Sequence, residues 1–364
     1  MNSIPRIGYV PFSPTFTAPG DRRRFVAYAR ARNLQFELAR FDERYDVVVL
    51  SEKADISIWC DYQKGKIVFD SIDSYLSIPR TNWRQLLRGP LWYALRRHKR
   101  LRDYLSSLRA LCRRADAVVC TTNEQRETIS HFCNNVYVIL DVHSTVARDV
   151  KTHYGASQPF RLVWEGLPPN LPQLATLAPI LRMLAKHRDF ELHVISDPGK
   201  SRHQKGFRQF DSQRFLSRHF DRVCFHKWDE ETCSQILSSC DLALIPIDLN
   251  DPFVTGKPEN KLMLLWRVGL PVIAAATPAY QRAMQQVKTP EFACENDDQW
   301  INALEKMMSS ELTRKEAATR GRRYAEGEYG AAVMIARWDA MFESLGFSFG
   351  TSPSAHERQS VPGK

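Results

Sequence analysis

The sequence predicts an α/β protein of two doubly wound, Rossmann-like domains facing each other across a cleft. Three observations predict it. Short, β-branched, nearly all-apolar runs recur along the chain, as do strands buried on both faces of a parallel sheet. Helix-length segments separate these runs, and strand–helix alternation is the pattern of parallel sheets wound by right-handed crossovers. The alternation halts at a turn-rich stretch, "YGASQPF" at 154–160, and then restarts. A chain of 364 residues also exceeds one ordinary core and suits two.

In the first array the expected strands are 6–10, 35–39, 45–50, 66–70, 115–120 and 135–140. Helices are expected at 21–32, 81–114 and 123–133, the last opened by a capping box of Thr122 and Gln125. In the second array the strands are 161–165, 191–196, 222–226, 241–245, 271–276 and 292–294. Its helices are 172–187, 229–239, 259–268, 278–286, 297–309, 311–326 and 330–345. The division is expected at 155/156, with the second domain running to 347 and its last helix packing back on the first domain. The stretch 348–364 lacks apolar periodicity and is expected to be disordered.

Composition narrows the function. Hydrophobic content of 43% and charged content of 25% are those of a soluble globular protein. No run of about 18 apolar residues exists to span a bilayer, and the first residues lack the blocks of a signal peptide. The eight cysteines are scattered without a CxxC pair, which argues against a zinc site and for reduced thiols in a cytoplasmic chain. The net charge of +10 is concentrated: segment 80–114 holds 11 Lys and Arg against the single acid Asp103. Its apolar partners, among them Trp83, Leu87 and Trp92, make it amphipathic. The plain reading is a helix pair on the sheet with a solvated basic face; the sharper one is docking on an anionic membrane surface. No nucleic-acid recognition motif accompanies the charge.

The stretch 255–280, "TGKPENKLMLLWRVGLPVIAAATPAY", carries the main candidate site. It follows the buried strand "DLALI" through a Pro/Gly/Asp loop, so its helix starts at the carboxyl end of the sheet. A helix N-terminus offers free N–H groups and partial positive charge to a phosphate. Lys257 and Lys261 add charge there, Asn260 adds a polar group, and Gly269 is placed to end the helix.

The string "CDLALIPIDLNDPFVTGKPENKLMLLWRVGLPVIAAATPAY" resembles the nucleotide-sugar half of GT-B glycosyltransferases of the retaining group-1, family-4-like kind. "RLVWEGLPPNLPQL" and "FHKWDEETCSQILSSCDLALIP" are similar to the first strand–turn–helix and the pre-loop segment of that half. "PGDRRRF" and "FDSIDSYL" resemble its N-terminal cleft loops. The resemblance covers most of 5–345 and is strongest over 223–280. It implies a transferase moving a sugar from a nucleotide diphosphate sugar to an acceptor hydroxyl, retaining and metal-independent; the basic segment 80–114, if it docks on a membrane, would suit cell-envelope polysaccharide or glycolipid synthesis. With the helix start, the resemblance points to a donor-binding set of Gly166, Lys257, Glu259, Asn260 and Lys261, with no cofactor and no metal; Arg202 and Lys205, after the next strand, read as a flexible basic loop or as further phosphate contacts. The partners expected are the donor, a glycan or lipid-linked acceptor and, through segment 80–114, an anionic surface at the inner face of the membrane.

The sequence departs from the family at one acid, where Leu264 stands in place of the usual ribose-binding Glu; the partner acid upstream corresponds to Lys257. Glu259 is the remaining candidate for the ribose, and equally a first-turn acid that complements the helix dipole. A GT-B protein that binds nucleotide sugars without transfer, and a GT-B epimerase, are the alternatives. On the acceptor side the candidates are the loop Gly20, Asp21 and Arg22, and the acids Asp70 and Asp73 at a strand end. Asp21 is expected to cap its helix; Asp73 is expected to position an acceptor hydroxyl, with Asp70 beside it.

Overall fold

The structure is a computed structural model that describes residues 5–77, 104–199 and 211–349. Arg202, Lys205, segment 80–103 and the tail from 350 lie outside the described residues. The chain divides into two compact units, one of 1–142 with 332–364 and one of 143–331. The sequence reading has the division at 155/156 and assigns the last helix to the second domain's range, packing back on the first.

The first unit is built on a parallel sheet of β1 (Ile7–Val10), β2 (Glu37–Leu38), β3 (Val47–Ser51), β4 (Lys66–Asp70), β5 (Ala117–Cys120) and β6 (Val136–Val138). Their order is β2-β1-β3-β4-β5-β6. β3 and β5 are buried along their whole length, as their unbroken apolar runs require. Beneath β3 and β4, the helix Tyr104–Arg114 buries Leu105, Leu108, Leu111 and Cys112. This is the described end of the basic segment. The guanidinium of Arg113 stands over the ring of Phe132, 5.0 Å from its centroid.

The expected helix 21–32 is two pieces, Pro19–Arg22 and Phe25–Ala31. Arg24 lies between them with non-helical dihedrals (φ −122°, ψ −117°), and its side chain runs inward to Asp70. The helix Asn123–Ser130 has the expected capping box, Thr122 accepting from the Gln125 N–H while the Gln125 side chain returns to the cap. The helix Ala331–Ser344 closes this unit: the rings of Trp338 and Phe342 stack on Tyr28 at 5.7 and 5.3 Å.

The second unit carries β7 (Phe160–Glu165), β8 (Phe190–Ser196), β9 (Val223–Lys227), β10 (Leu242–Ile245), β11 (Val272–Ala275) and β12 (Ala293–Cys294). All are parallel, in the order β12-β11-β10-β7-β8-β9. The expected helix 172–187 is broken into Leu171–Ala175 and Ala178–Leu184. Pro179 stands in the first turn of the second piece, where its missing N–H costs nothing, and could not lie inside a continuous helix. The helix Ser212–His219, capped by Asp211, has no counterpart in the sequence reading. Asn260–Arg267 ends as expected at Gly269 (φ +79°), with Leu270 N–H on the Leu265 carbonyl at 3.0 Å.

Candidate functional site

In the second sheet the winding reverses between β7 and β10. Open α/β sheets bind ligands outside the carboxyl ends of the strands at such a reversal. Residues 166–170 follow β7 and residues 246–259 follow β10, so these loops flank that point. Gly166 turns the chain out of β7, its N–H held by the Ile195 carbonyl at 3.1 Å. A Cβ here would lie 2.7 Å from the Trp164 ring and 2.9 Å from the Lys261 ammonium. Only glycine lets these groups close on the turn.

Lys261 reaches from the first turn of Asn260–Arg267 across to β7. Its ammonium donates to the Glu165 carbonyl and stands 4.9 Å from the centre of the Trp164 ring. Burial lowers its pKa; Glu165 opposes the shift and Lys257 adds to it. The Lys257 ammonium donates to Asn170 Oδ1 at 3.4 Å. The structure therefore brings Gly166, Asn170, Lys257 and Lys261 together, with Asn260 opening the helix. Asn170 was not among the sequence candidates. Its signal was its place in the turn after β7, the same place that singled out Gly166.

Glu259 departs from expectation. It precedes the helix rather than starting it, its side chain does not cap, and it is 2% exposed. Its carboxylate lies 3.4 Å from the Arg282 guanidinium. Burial, followed by the charges of Glu259 and Glu165, raises the pKa of the neighbouring Tyr280 hydroxyl. The carboxylate is thus enclosed beside Arg282 rather than standing in the first helical turn. Leu264, at the position of the family's acid, is a core residue, also 2% exposed.

In the first unit the winding reverses between β1 and β3, and again the loops at the carboxyl ends hold the polar groups. Asp21 does not cap its helix; Ala18 occupies the cap position. The Asp21 carboxylate turns inward and organises the loop after β1. It accepts from Tyr9 Oη at 2.6 Å, Phe12 N at 2.7 Å and Ser13 N at 2.9 Å. Three satisfied donors fix a loop better than one cap would fix a four-residue helix. Gly20 lies against the Phe12 ring, which would stand 2.6 Å from a Cβ, and Arg22 is half-buried beside it.

Asp70 also departs from expectation. Its side chain is 2% exposed and that of Arg24 is wholly buried. Arg24 donates to it through Nε at 2.8 Å and Nη2 at 2.5 Å, and through Nη1 to the Ile139 carbonyl at 2.9 Å. Burial alone would lower the Arg24 pKa; the charge and hydrogen bonds of Asp70 outweigh it and raise it. A carboxylate so enclosed cannot touch an acceptor. Asp73, three residues on, is half-buried, and its N–H donates to Glu52 Oε1 at 2.6 Å. Burial, followed by the charge of Asp73, pushes the Glu52 carboxyl well above the usual carboxylate range. Thr121 and Gln125 hold the loop in place through the Ile72 carbonyl, at 2.8 and 2.9 Å. Glu52 was missed in the sequence, although it follows the β3 run as Asp70 ends the β4 run.

No family model matches this sequence, and no curated protein matches it. Solved structures do. The E. coli trehalose-6-phosphate synthase, solved with UDP-2-fluoro glucose, is 10% identical, with a TM-score of 0.50 over 81% of this chain and 72% of that one. A Listeria monocytogenes protein described as a UDP-N-acetylglucosamine 2-epimerase is 12% identical (TM-score 0.47, 83% of this chain, 74% of that one). The Gap123 glycosylation-associated complex of Streptococcus agalactiae is 14% identical (TM-score 0.45, 82% of this chain, 54% of that one). With two six-stranded parallel sheets of these orders, the chain has the two-domain α/β fold of the GT-B glycosyltransferases.

Proposed function

We propose that the protein is a glycosyltransferase that moves a sugar from a nucleotide diphosphate sugar to an acceptor hydroxyl. The observation that carries this is the convergence of Lys257 and Lys261 with the Gly166 turn at the carboxyl ends of β7 and β10. Two ammonium groups, a helix N-terminus and a turn without a side chain suit a diphosphate, and the same groups stabilise it as a leaving group. The second unit then holds the donor, and the first presents the acceptor beside Asp73 and Glu52. Retention of configuration without metal or cofactor fits this set, with the leaving phosphate taking the acceptor's proton. A role in cell-envelope polysaccharide or glycolipid synthesis fits the basic segment 80–114, which would hold the protein peripherally on the cytoplasmic membrane face. No helix among the described residues is long and apolar enough to cross a membrane.

A second reading is a GT-B protein that binds nucleotide sugars without transferring them. Leu264, buried where the family has its ribose-binding acid, favours it. Calorimetry of the full chain against a panel of nucleotide sugars, with Lys257→Ala alongside, tests the shared claim; a panel that gives no heat ends both readings. Incubating the bound nucleotide sugar with a lipid extract then separates them, since a transferred sugar appears only for the enzyme. Flotation with anionic and neutral vesicles tests the membrane, and equal partitioning would remove that role.

A further inference from the structure

Away from the carboxyl ends of the second sheet, four polar side chains meet on one face of its edge. Glu191 and His193 alternate along β8, so both point to the same side. Cys224 and His226 alternate along the edge strand β9, in register with His193 and Ile195. The His193 Nε2 lies 2.9 Å from Glu191 Oε1, and the Cys224 sulfur lies 3.9 Å from Glu191 Oε2. Ligand atoms of Glu191, His193 and Cys224 all fall within 4.8 Å of one another. The Nδ1 of His193 meets His226 Nε2 at 2.9 Å, the two rings stacked 8° from parallel. All eight cysteines are free, and Cys224 alone of them is not buried.

We propose that Glu191, His193 and Cys224 bind a divalent metal ion of the zinc type, with His226 orienting His193. Around a tetrahedral zinc with bonds of about 2.0–2.3 Å, neighbouring donor atoms stand roughly 3.3–3.8 Å apart. The observed spacings bracket this range, so small side-chain rotations close the site. One carboxylate, one imidazole and one thiolate suit zinc or cobalt rather than calcium or magnesium, which take oxygen ligands. With the metal on Nε2, His193 carries its proton on Nδ1 and donates it to His226. A histidine ligand is usually fixed through its second nitrogen in this way. Cys224 binds as thiolate, so one proton leaves its sulfur as the metal–sulfur bond forms. Arg161 faces Glu191 at 3.4 Å and shares its carboxylate. Three protein ligands at a sheet edge leave a fourth position open to water.

Glu191 stands five residues before the carboxyl end of β8, about 16 Å at a strand's rise per residue. The metal would therefore hold the sheet edge rather than take part at the donor site. The test is titration of the full, tag-free chain with cobalt(II), then displacement by zinc. The expected result is saturation near one ion per chain, a thiolate-to-cobalt charge-transfer band and release of a proton. Cys224→Ser removes the band, and His226→Ala weakens binding about tenfold, as loss of an orienting partner does. Far-ultraviolet circular dichroism shows that both variants are folded. Zinc raises the melting temperature of the parent chain and not of Cys224→Ser. Absence of saturable binding, or an unchanged band in Cys224→Ser, overturns the proposal.

Discussion

Replacing Asp70 by Ala separates a structural ion pair from a catalytic acid. In the wild type, Asp70 takes two donor nitrogens of a guanidinium that has no access to water. Alanine leaves that charge with the Ile139 carbonyl at 2.9 Å and the Asp141 carboxylate at 3.3 Å. Removing one partner of a buried pair costs up to about 3–5 kcal/mol, because the other charge stays buried with only the weaker Asp141 contact to compensate it. Domains are stable by only about 5–15 kcal/mol, so the loss is a large share. At about 2–4 °C per kcal/mol for a unit of this size, the melting temperature should fall by roughly 6–20 °C. The double variant Arg24→Met with Asp70→Leu removes both charges and should recover more than half of that loss. Thermal and urea unfolding of the three variants measure it. A chain with Asp70→Ala as stable as the parent, yet without activity, would refute the structural reading and return Asp70 to catalysis.

Other outcomes follow from the same contacts. Gly166→Ala places a methyl group against Lys261 and Trp164; if the displaced ammonium is the one that meets the diphosphate, one charged hydrogen bond of about 1.5–3 kcal/mol to the ligand is lost, and calorimetry should show a nucleotide sugar bound roughly 10- to 150-fold more weakly. For Asp339, burial raises the pKa, but the hydrogen bonds from Arg32 and Tyr28 outweigh it and the net shift is downward. Its stabilisation is therefore present above the ordinary carboxylate value of 3.8 and is lost as pH falls through the lower folded value. Asp339→Asn should cost about 1.5–3 kcal/mol at pH 7 and nothing once the wild-type carboxylate is protonated, as read from urea melts across pH. A thiol reagent should modify Cys224 in the native chain and reach buried thiols such as Cys112, pushed up to about 12 by burial, only on unfolding.

The central strands among the described residues, such as β3, β5 and β10, were legible in the sequence because each is a local apolar run buried on both faces. The Thr122–Gln125 box and the Gly269 terminus were legible for a similar reason: both are set by residues within one helical turn. The turn at Gly166 and the lysines at 257 and 261 could be picked out as candidates because they follow strand ends. Their meeting could not, since strand order decides it and no periodicity records strand order.

What the tertiary structure alone decided is the fate of the charged groups. Asp21, Asp70 and Glu259 read as helix caps or ligand contacts from their neighbours in sequence. They are instead buried partners of Tyr9, Arg24 and Arg282, at separations of 12 to 46 residues. Glu52 and Asp73 became a pair, and Glu191 and His193 met Cys224, only when parallel strands were laid side by side. Burial makes an uncompensated charge so costly that the nearest long-range partner sets its role. A strand is specified by the residues it contains; a carboxylate's function is specified by whatever the fold places against it.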